Sequence, residues 1–217
     1  AGNITNFVGL QDDVTEHRRI RNEINYHASH DLLTGLINRR EFEKRLNRLI
    51  DSSHQNINSE HIFCFFDLDK FKIVNDTSGH PAGDELLRQV STLISENIRQ
   101  RDTLARFGGD EFGILMESCS LHKAEYVTEK IRDIIEHFIF IWEDKSFSIG
   151  VSIGVVRINH KTKDLTEAFK QADATIGFIP VMKYIAQKNF ITDLKYFTDT
   201  SSPIMQPMPL RFSTRKN

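Results

Sequence analysis

Two pairs of carboxylates stand where a chain gains little by placing them without a task. Asp67 and Asp69 follow directly on the apolar run Ile62-Phe63-Cys64-Phe65-Phe66, and Asp110 and Glu111 follow Gly108-Gly109. Side chains alternate along a strand, so Asp67 and Asp69 point the same way if the run is extended. Adjacent carboxylates at a turn repel one another, and a bound divalent cation removes that cost. If the two segments are neighbours in one sheet, Asp67 and Asp110 share a Mg²⁺ or Mn²⁺ ion. A solvated acidic turn and a solvated strand end have the same local spelling, so the surrounding elements must decide.

Those elements are legible from periodicity. Leu104 and Phe107 precede the Gly-Gly pair, and Phe112, Ile114, Leu115 and Met116 follow it. Two apolar runs around glycines read as a tight β-hairpin, because glycine takes the positive φ such turns need. The run from His61 to Leu68 predicts a strand buried on both faces. Asn38 is placed to cap a helix whose one face is Phe42, Leu46, Leu49 and Ile50. The stretch from Gly79 to Asp84, with Pro81, reads as a loop, followed by a helix with Leu86, Leu87, Val90, Leu93, Ile94 and Ile98 on its core face. Ala124, Val127, Ile131, Ile134, Ile135 and Phe138 mark another helix, and strands are expected at 140–142 and 147–158. Alternation of Ser and Gly with Ile and Val from Ser148 to Val155 points to close packing against a neighbour. Leu165, Ala168, Phe169 and Ala172 mark a last helix.

Asn75 and Asp84 offer an amide and a carboxylate, groups that pair with the N1, N2 and O6 edge of guanine; loop asparagines and helix caps use the same residues. Arg99 and Asp102 by themselves read as a charged helix end. Near the start, residues 3–10 read as a short strand, and Asp12 or Asp13 caps a helix carrying Val14, Ile20, Ile24 and Ala28 among many charges. So thin an apolar stripe suits a linker helix that pairs with a second copy, and equally one packed on its own domain.

Composition narrows the function classes. The 217 residues are 39% hydrophobic and 27% charged, as in a globular protein with a core of ordinary size. With 28 basic and 30 acidic residues the net charge is −2, which argues against a general nucleic-acid binder while leaving room for a nucleotide pocket. The 2 cysteines, Cys64 and Cys119, have no CxxC spacing, which points to a reducing, cytoplasmic setting and no zinc site. No apolar run approaches the roughly 18 residues of a membrane span. The start at Ala1 rather than Met reads as a fragment, whose parent protein would carry any membrane attachment.

Four segments carry a family resemblance. Gly108-Gly109-Asp110-Glu111-Phe112 spells the signature of the GGDEF family, the diguanylate cyclases. The run from Phe66 to Asp84 matches that family's longest motif, Phe-Asp-x-Asp-x-Phe-Lys-x-x-Asn-Asp-x-x-Gly-His-x-x-Gly-Asp, at every defined position. Asp31-Leu32-Leu33-Thr34-Gly35-Leu36-Ile37-Asn38-Arg39 resembles its opening motif, and Arg99 and Asp102 occupy the places of its inhibitory Arg-x-x-Asp product site. Residues 7–16 resemble the exit of a PAS sensor domain. The resemblance implies four regions: 1–13 as a PAS-like remnant, 14–30 as a signalling linker helix, 31–197 as the GGDEF domain, and 198–217 as a disordered tail.

The same resemblance implies an α+β fold, a mainly antiparallel sheet flanked by helices, like the palm of nucleotidyl cyclases. It implies a dimer that condenses two GTP into cyclic di-GMP and two pyrophosphates. Asp67, the Leu68 carbonyl and Asp110 would ligate Mg²⁺ or Mn²⁺, with Glu111 a further ligand or an aid to removing the hydroxyl proton. Phe71, Lys72, Asn75, Asp84, Gly108 and Gly109 would bind substrate, and Arg99 with Asp102 would hold inhibitory product. The resemblance is broken after Ala174. Gly177 stands where the family has tyrosine, Ile179-Pro180 where it has Ala-Lys, and no Gly-Arg-Asn follows, although Lys183 or Lys188 is near. That departure keeps an alternative in view: a catalytically impaired module that binds GTP or cyclic di-GMP.

Overall fold

His61–Asp69 is the middle of the molecule, and its neighbours follow from it. In the computed structural model, which describes residues 15–176, the chain forms α1 (Thr15–Ser29), β1 (Ile37–Asn38), α2 (Arg39–Gln55) and β2 (His61–Asp69). Then come α3 (Phe71–Ser78), α4 (His80–Glu96), β3 (Thr103–Gly108), β4 (Glu111–Met116) and α5 (Leu121–His137). The last elements are β5 (Ile139–Trp142), β6 (Lys145–Ser148), β7 (Gly150–Ile158) and α6 (Leu165–Thr175). The main sheet has the order β1-β3-β4-β2-β7, and β5 and β6 form a separate ribbon. β2 is antiparallel to both β4 and β7, β3 is antiparallel to β4, and the short β1 is parallel to β3. The fold is therefore α+β with a mainly antiparallel sheet flanked by helices, as expected.

β2 is covered on both faces. Ile62, Cys64, Phe66 and Leu68 pack with Val74 of α3, Leu86 and Leu87 of α4, and Ile131 and Ile135 of α5. On the opposite face Phe63 packs with Phe42, Leu46 and Ile50 of α2 and with Ala168 and Ala172 of α6. Each fully buried Val, Leu, Ile or Phe side chain among them contributes about 1.5–3 kcal/mol. The Asn38 side chain accepts from the Glu41 amide at 3.0 Å and caps α2 as its spelling predicts. A methyl group on Gly154 of β7 would run into the Ala172 carbonyl, so α6 lies directly on the strand there. The Ser/Gly alternation had signalled this contact.

Two expectations need correction. The stretch from Gly79 to Asp84 is not a loop: α4 is already helical at His80, and Pro81 sits in its first turn, where the missing N–H has no helical partner to lose. The strand expected at 147–158 is split at Ile149, because β6 folds back on β5 while β7 belongs to the main sheet. The helix expected near the start is present as α1, with Ile20 and Ile24 exposed. The strand at 3–10, the PAS-like segment, the residues around Pro180 and the tail lie outside the described residues.

Candidate functional site

The hairpin brings the two acidic pairs together. Gly108 (φ 138°) and Gly109 (φ 53°) make the turn, and a side chain on either would meet no atom within 4 Å, so the turn is open on its outer side. The Leu68 amide donates to the Asp110 carbonyl at 3.3 Å, which fixes the tip to the end of β2. Asp67 and Glu111 are direct cross-strand partners. Residues so paired have Cβ atoms about 4.5–5.5 Å apart, and like charges in that position destabilise a sheet. Burial pushes the Asp67 carboxyl above its ordinary value, and the negative charges of Asp110, Glu111 and Asp69 push it further. Asp69 is engaged on the other side, accepting from the Ser152 hydroxyl at 2.9 Å and lying against Gly150 of β7.

Among the described residues no three His, Cys, Asp or Glu side chains form a closed metal cage. The donors are instead carboxylates crowded at one open edge beside the backbone of Leu68. Such a set suits a hard divalent cation, which takes oxygen ligands from carboxylates, backbone carbonyls and water. The geometry that fits a cation there is the cross-strand pairing of Asp67 with Glu111 and the Leu68–Asp110 hydrogen bond that holds the turn against the end of β2.

α3 begins at Phe71, two residues beyond Asp69. Its N-cap residue Lys70 is left-handed (φ 67°, ψ 9°), and no side chain caps the first turn. A left-handed residue followed by a helical one turns successive N–H groups toward a common point, an anion-binding arrangement. Lys72 is exposed one residue further on. Asn75 and Asp84 are both half-buried, and the Asn75 amide group lies against Gly83, the residue before Asp84.

Spacing in the sequence gave no sign of the clamp behind the hairpin. Arg106 donates through Nε and Nη2 to the Gly109 carbonyl at 3.0 and 2.9 Å, and through Nη1 to both oxygens of Asp31. Asp31 Oδ1 also accepts from the Thr34 amide and hydroxyl, at 2.9 and 2.7 Å. Phe107 lies over Gly113, where a methyl group would collide with its ring, and it packs edge-on to Phe42 at 4.9 Å. The Arg39 guanidinium covers Phe107 and Phe169 at 5.9 and 5.2 Å.

Arg99 and Asp102 lie apart from this corner. The Arg99 amide donates to Asp102 Oδ2 at 3.2 Å and the Asp102 amide to the Arg99 carbonyl at 2.9 Å, which closes the turn. Burial raises the Asp102 carboxyl, although the Arg99 amide and the charges of Arg99 and Arg101 oppose it. Its Oδ1 is buried and has no hydrogen-bond partner among the described residues. A cavity of about 490 Å³ has Arg99 in its lining, together with Lys123, Tyr126 and Lys130. Sequence reading missed the last three. They fall at i, i+3 and i+7 of α5, one helical face, and that spacing was the available signal.

Comparison with known proteins places this architecture. The chain is 41% identical over 174 residues to the probable diguanylate cyclase DgcE of Escherichia coli (strain K12), covering 79% of this chain and 15% of that protein. It is 32% identical over 164 residues to the cyclic di-GMP phosphodiesterase PdeB of Shewanella oneidensis, covering 74% of this chain and 18% of that protein. The chain therefore spans less than a fifth of either relative. The solved coiled coil and GGDEF domain of DgcB from Caulobacter crescentus, in complex with c-di-GMP, has the same fold with a TM-score of 0.70. That likeness is at 24% identity and covers 79% of this chain and 88% of that one. Residues 28–177 match the family described as diguanylate cyclase, GGDEF domain. Because that match runs from the end of α1 through α6 and takes in every strand of the sheet, the chain belongs to the GGDEF family of diguanylate cyclase domains.

Proposed function

We propose that this domain condenses two GTP into cyclic di-GMP and two pyrophosphates, as a dimer with one GTP on each subunit. The observation that carries the reading is the crowding of Asp67, Asp110 and Glu111 at the end of β2, from which α3 leads to the Asn75–Asp84 corner. The 3′-hydroxyl of each GTP attacks the α-phosphorus of the other, so that two P–O bonds form, two hydroxyl protons are lost and a pyrophosphate leaves in line from each. Such chemistry rests on positioning and charge neutralisation. Asp67, the Leu68 carbonyl, Asp110 and Glu111 would hold a divalent cation, which when bound offsets charge on the phosphates. Glu111 serves as a ligand or takes the hydroxyl proton. Lys72 and the open amides at the start of α3 receive phosphate oxygens, and the bare backbone of Gly108 and Gly109 lets them approach. Phe71 sets that first turn, while Asn75 and Asp84 contact guanine.

Arg99, Asp102, Lys123 and Lys130 hold the product away from the reacting phosphates, and product bound there restrains turnover. The exposed Ile20 and Ile24 of α1 support pairing with a second copy, driven by an upstream PAS-like sensor. The test is turnover: concentrated protein with GTP and Mg²⁺ yields cyclic di-GMP, identified by chromatography and mass. A dimer that binds GTP yet yields none refutes the reading.

A second reading is a regulatory module that binds GTP or cyclic di-GMP without making product. The altered spelling at Gly177 and Ile179-Pro180 favours it, as does a relative named a phosphodiesterase. Calorimetry separates the two: GTP binding that requires Mg²⁺ supports the enzyme, and product binding alone supports the module.

A further inference from the structure

We propose that Gly83 is a positioning residue for base selectivity, leaving the space that the Asn75 amide needs to face guanine. The proposal rests on the reading of Asn75 and Asp84 as guanine contacts. A methyl group built on Gly83 would run into Asn75 Oδ1, with Cγ at 2.9 Å and Nδ2 at 3.2 Å, so its three nearest atoms are the amide group of one side chain. Gly83 is buried in the first turns of α4, and its φ is not in the left-handed region. The backbone therefore has no need of glycine there, and helix propensity favours alanine. What the glycine supplies is room for Asn75.

The corner has little freedom to yield. The Gly79 amide donates to the Asn75 carbonyl at 2.8 Å, and the Ala82 and Gly83 amides turn back to the Gly79 carbonyl at 3.2 and 3.4 Å. From outside, Lys145 Nζ at the start of β6 donates to the Thr77 carbonyl at 2.9 Å and braces the last turn of α3. A side chain at 83 would accordingly rotate the Asn75 amide out of place. An amide carries a donor on one side and an acceptor on the other, so its orientation decides which base edge it accepts. A rotated amide no longer matches guanine, while Asp84 keeps its place.

The experiment compares wild type, Gly83→Ala, Asn75→Ala and the double variant. Each is titrated calorimetrically with 3′-deoxy-GTP and 3′-deoxy-ATP in Mg²⁺, which bind without forming product, and each is melted thermally. Gly83→Ala is expected to melt no lower than wild type and to lose roughly tenfold or more of the preference for the guanine nucleotide. The double variant is expected to lose no more than either single change, because both act on one amide. Retained preference in Gly83→Ala, or additive losses in the double variant, overturns the proposal. Should Gly83→Ala fail to fold, the double variant must fold, since the atoms in the way are gone; an unfolded double variant also overturns it. A wild type without any guanine preference overturns the guanine reading itself and this proposal with it, whereas a preference that Gly83→Ala keeps overturns this proposal alone.

Discussion

Arg106 and Asp31, 75 residues apart in the chain, are joined at 3.1 and 3.0 Å through one guanidinium nitrogen while the other two nitrogens hold the Gly109 carbonyl. The turn after α1 and the turn between β3 and β4 are thus set by one side chain. Both partners are largely shielded, with 11% and 21% side-chain exposure. Lysine lacks the fork needed for both contacts. Arg106→Lys and Asp31→Ala are expected to lower stability by about 1–3 kcal/mol in urea denaturation. In Arg106→Lys turnover falls further than that loss alone predicts, since the Gly109 carbonyl is released. Burial alone would raise the Asp31 carboxyl, but Thr34 and Arg106 outweigh it and hold it below 3.8. A depressed carboxylate stabilises the fold above its unfolded value, and that contribution disappears as pH falls through its folded value. Wild type should therefore lose stability below pH 3.8 more steeply than Asp31→Ala.

Asp67 has the opposite sign. Its folded value is raised, so the fold favours the protonated form, and stability declines as pH rises from 3.8 through the folded value. Asp67→Asn removes the charge from a crowded edge. It is expected to stabilise the metal-free protein by roughly 0.2–1 kcal/mol and to abolish turnover. Mg²⁺ should raise the melting temperature of wild type and leave that of Asp67→Asn nearly unchanged. A metal-free Asp67→Asn protein less stable than wild type would refute the crowding argument.

Asp110→Ala and Glu111→Ala should each lower turnover about 10²-fold or more. Neither side chain faces the core, so folding measured by circular dichroism should be preserved. Retained activity in either variant would remove that residue from the reaction.

Arg99→Ala and Lys130→Ala act at the cavity between Arg99 and α5. Each should weaken cyclic di-GMP binding about tenfold or more, as expected for loss of a charged hydrogen bond, with the initial rate from GTP unchanged. Progress curves that bend as early as in wild type would show that product does not act there.

The hairpin and β2 were legible because both depend on local patterns: apolar alternation around glycines, and an apolar run too long for a surface strand. The helix cap at Asn38 was legible for the same reason. The α3–α4 corner was misread because Gly79, Pro81 and Gly83 look like loop punctuation, whereas Pro81 fits a first helical turn and Gly83 makes space for Asn75. The Arg106–Asp31 pair was invisible because nothing local links the two positions. Lys123, Tyr126 and Lys130 were not singled out, since only the fold brings α5 beside Arg99.

β2 is hydrogen-bonded on both edges and covered on both faces, and Asp67 and Leu68 lie within its paired length. Amides in such a strand exchange with solvent chiefly through global unfolding. A ligand that binds only the native state slows that route by a factor of one plus the ratio of free ligand concentration to Kd. Deuterium uptake along β2 therefore acts as a gauge of nucleotide and cation occupancy, readable in a variant that makes no product at all.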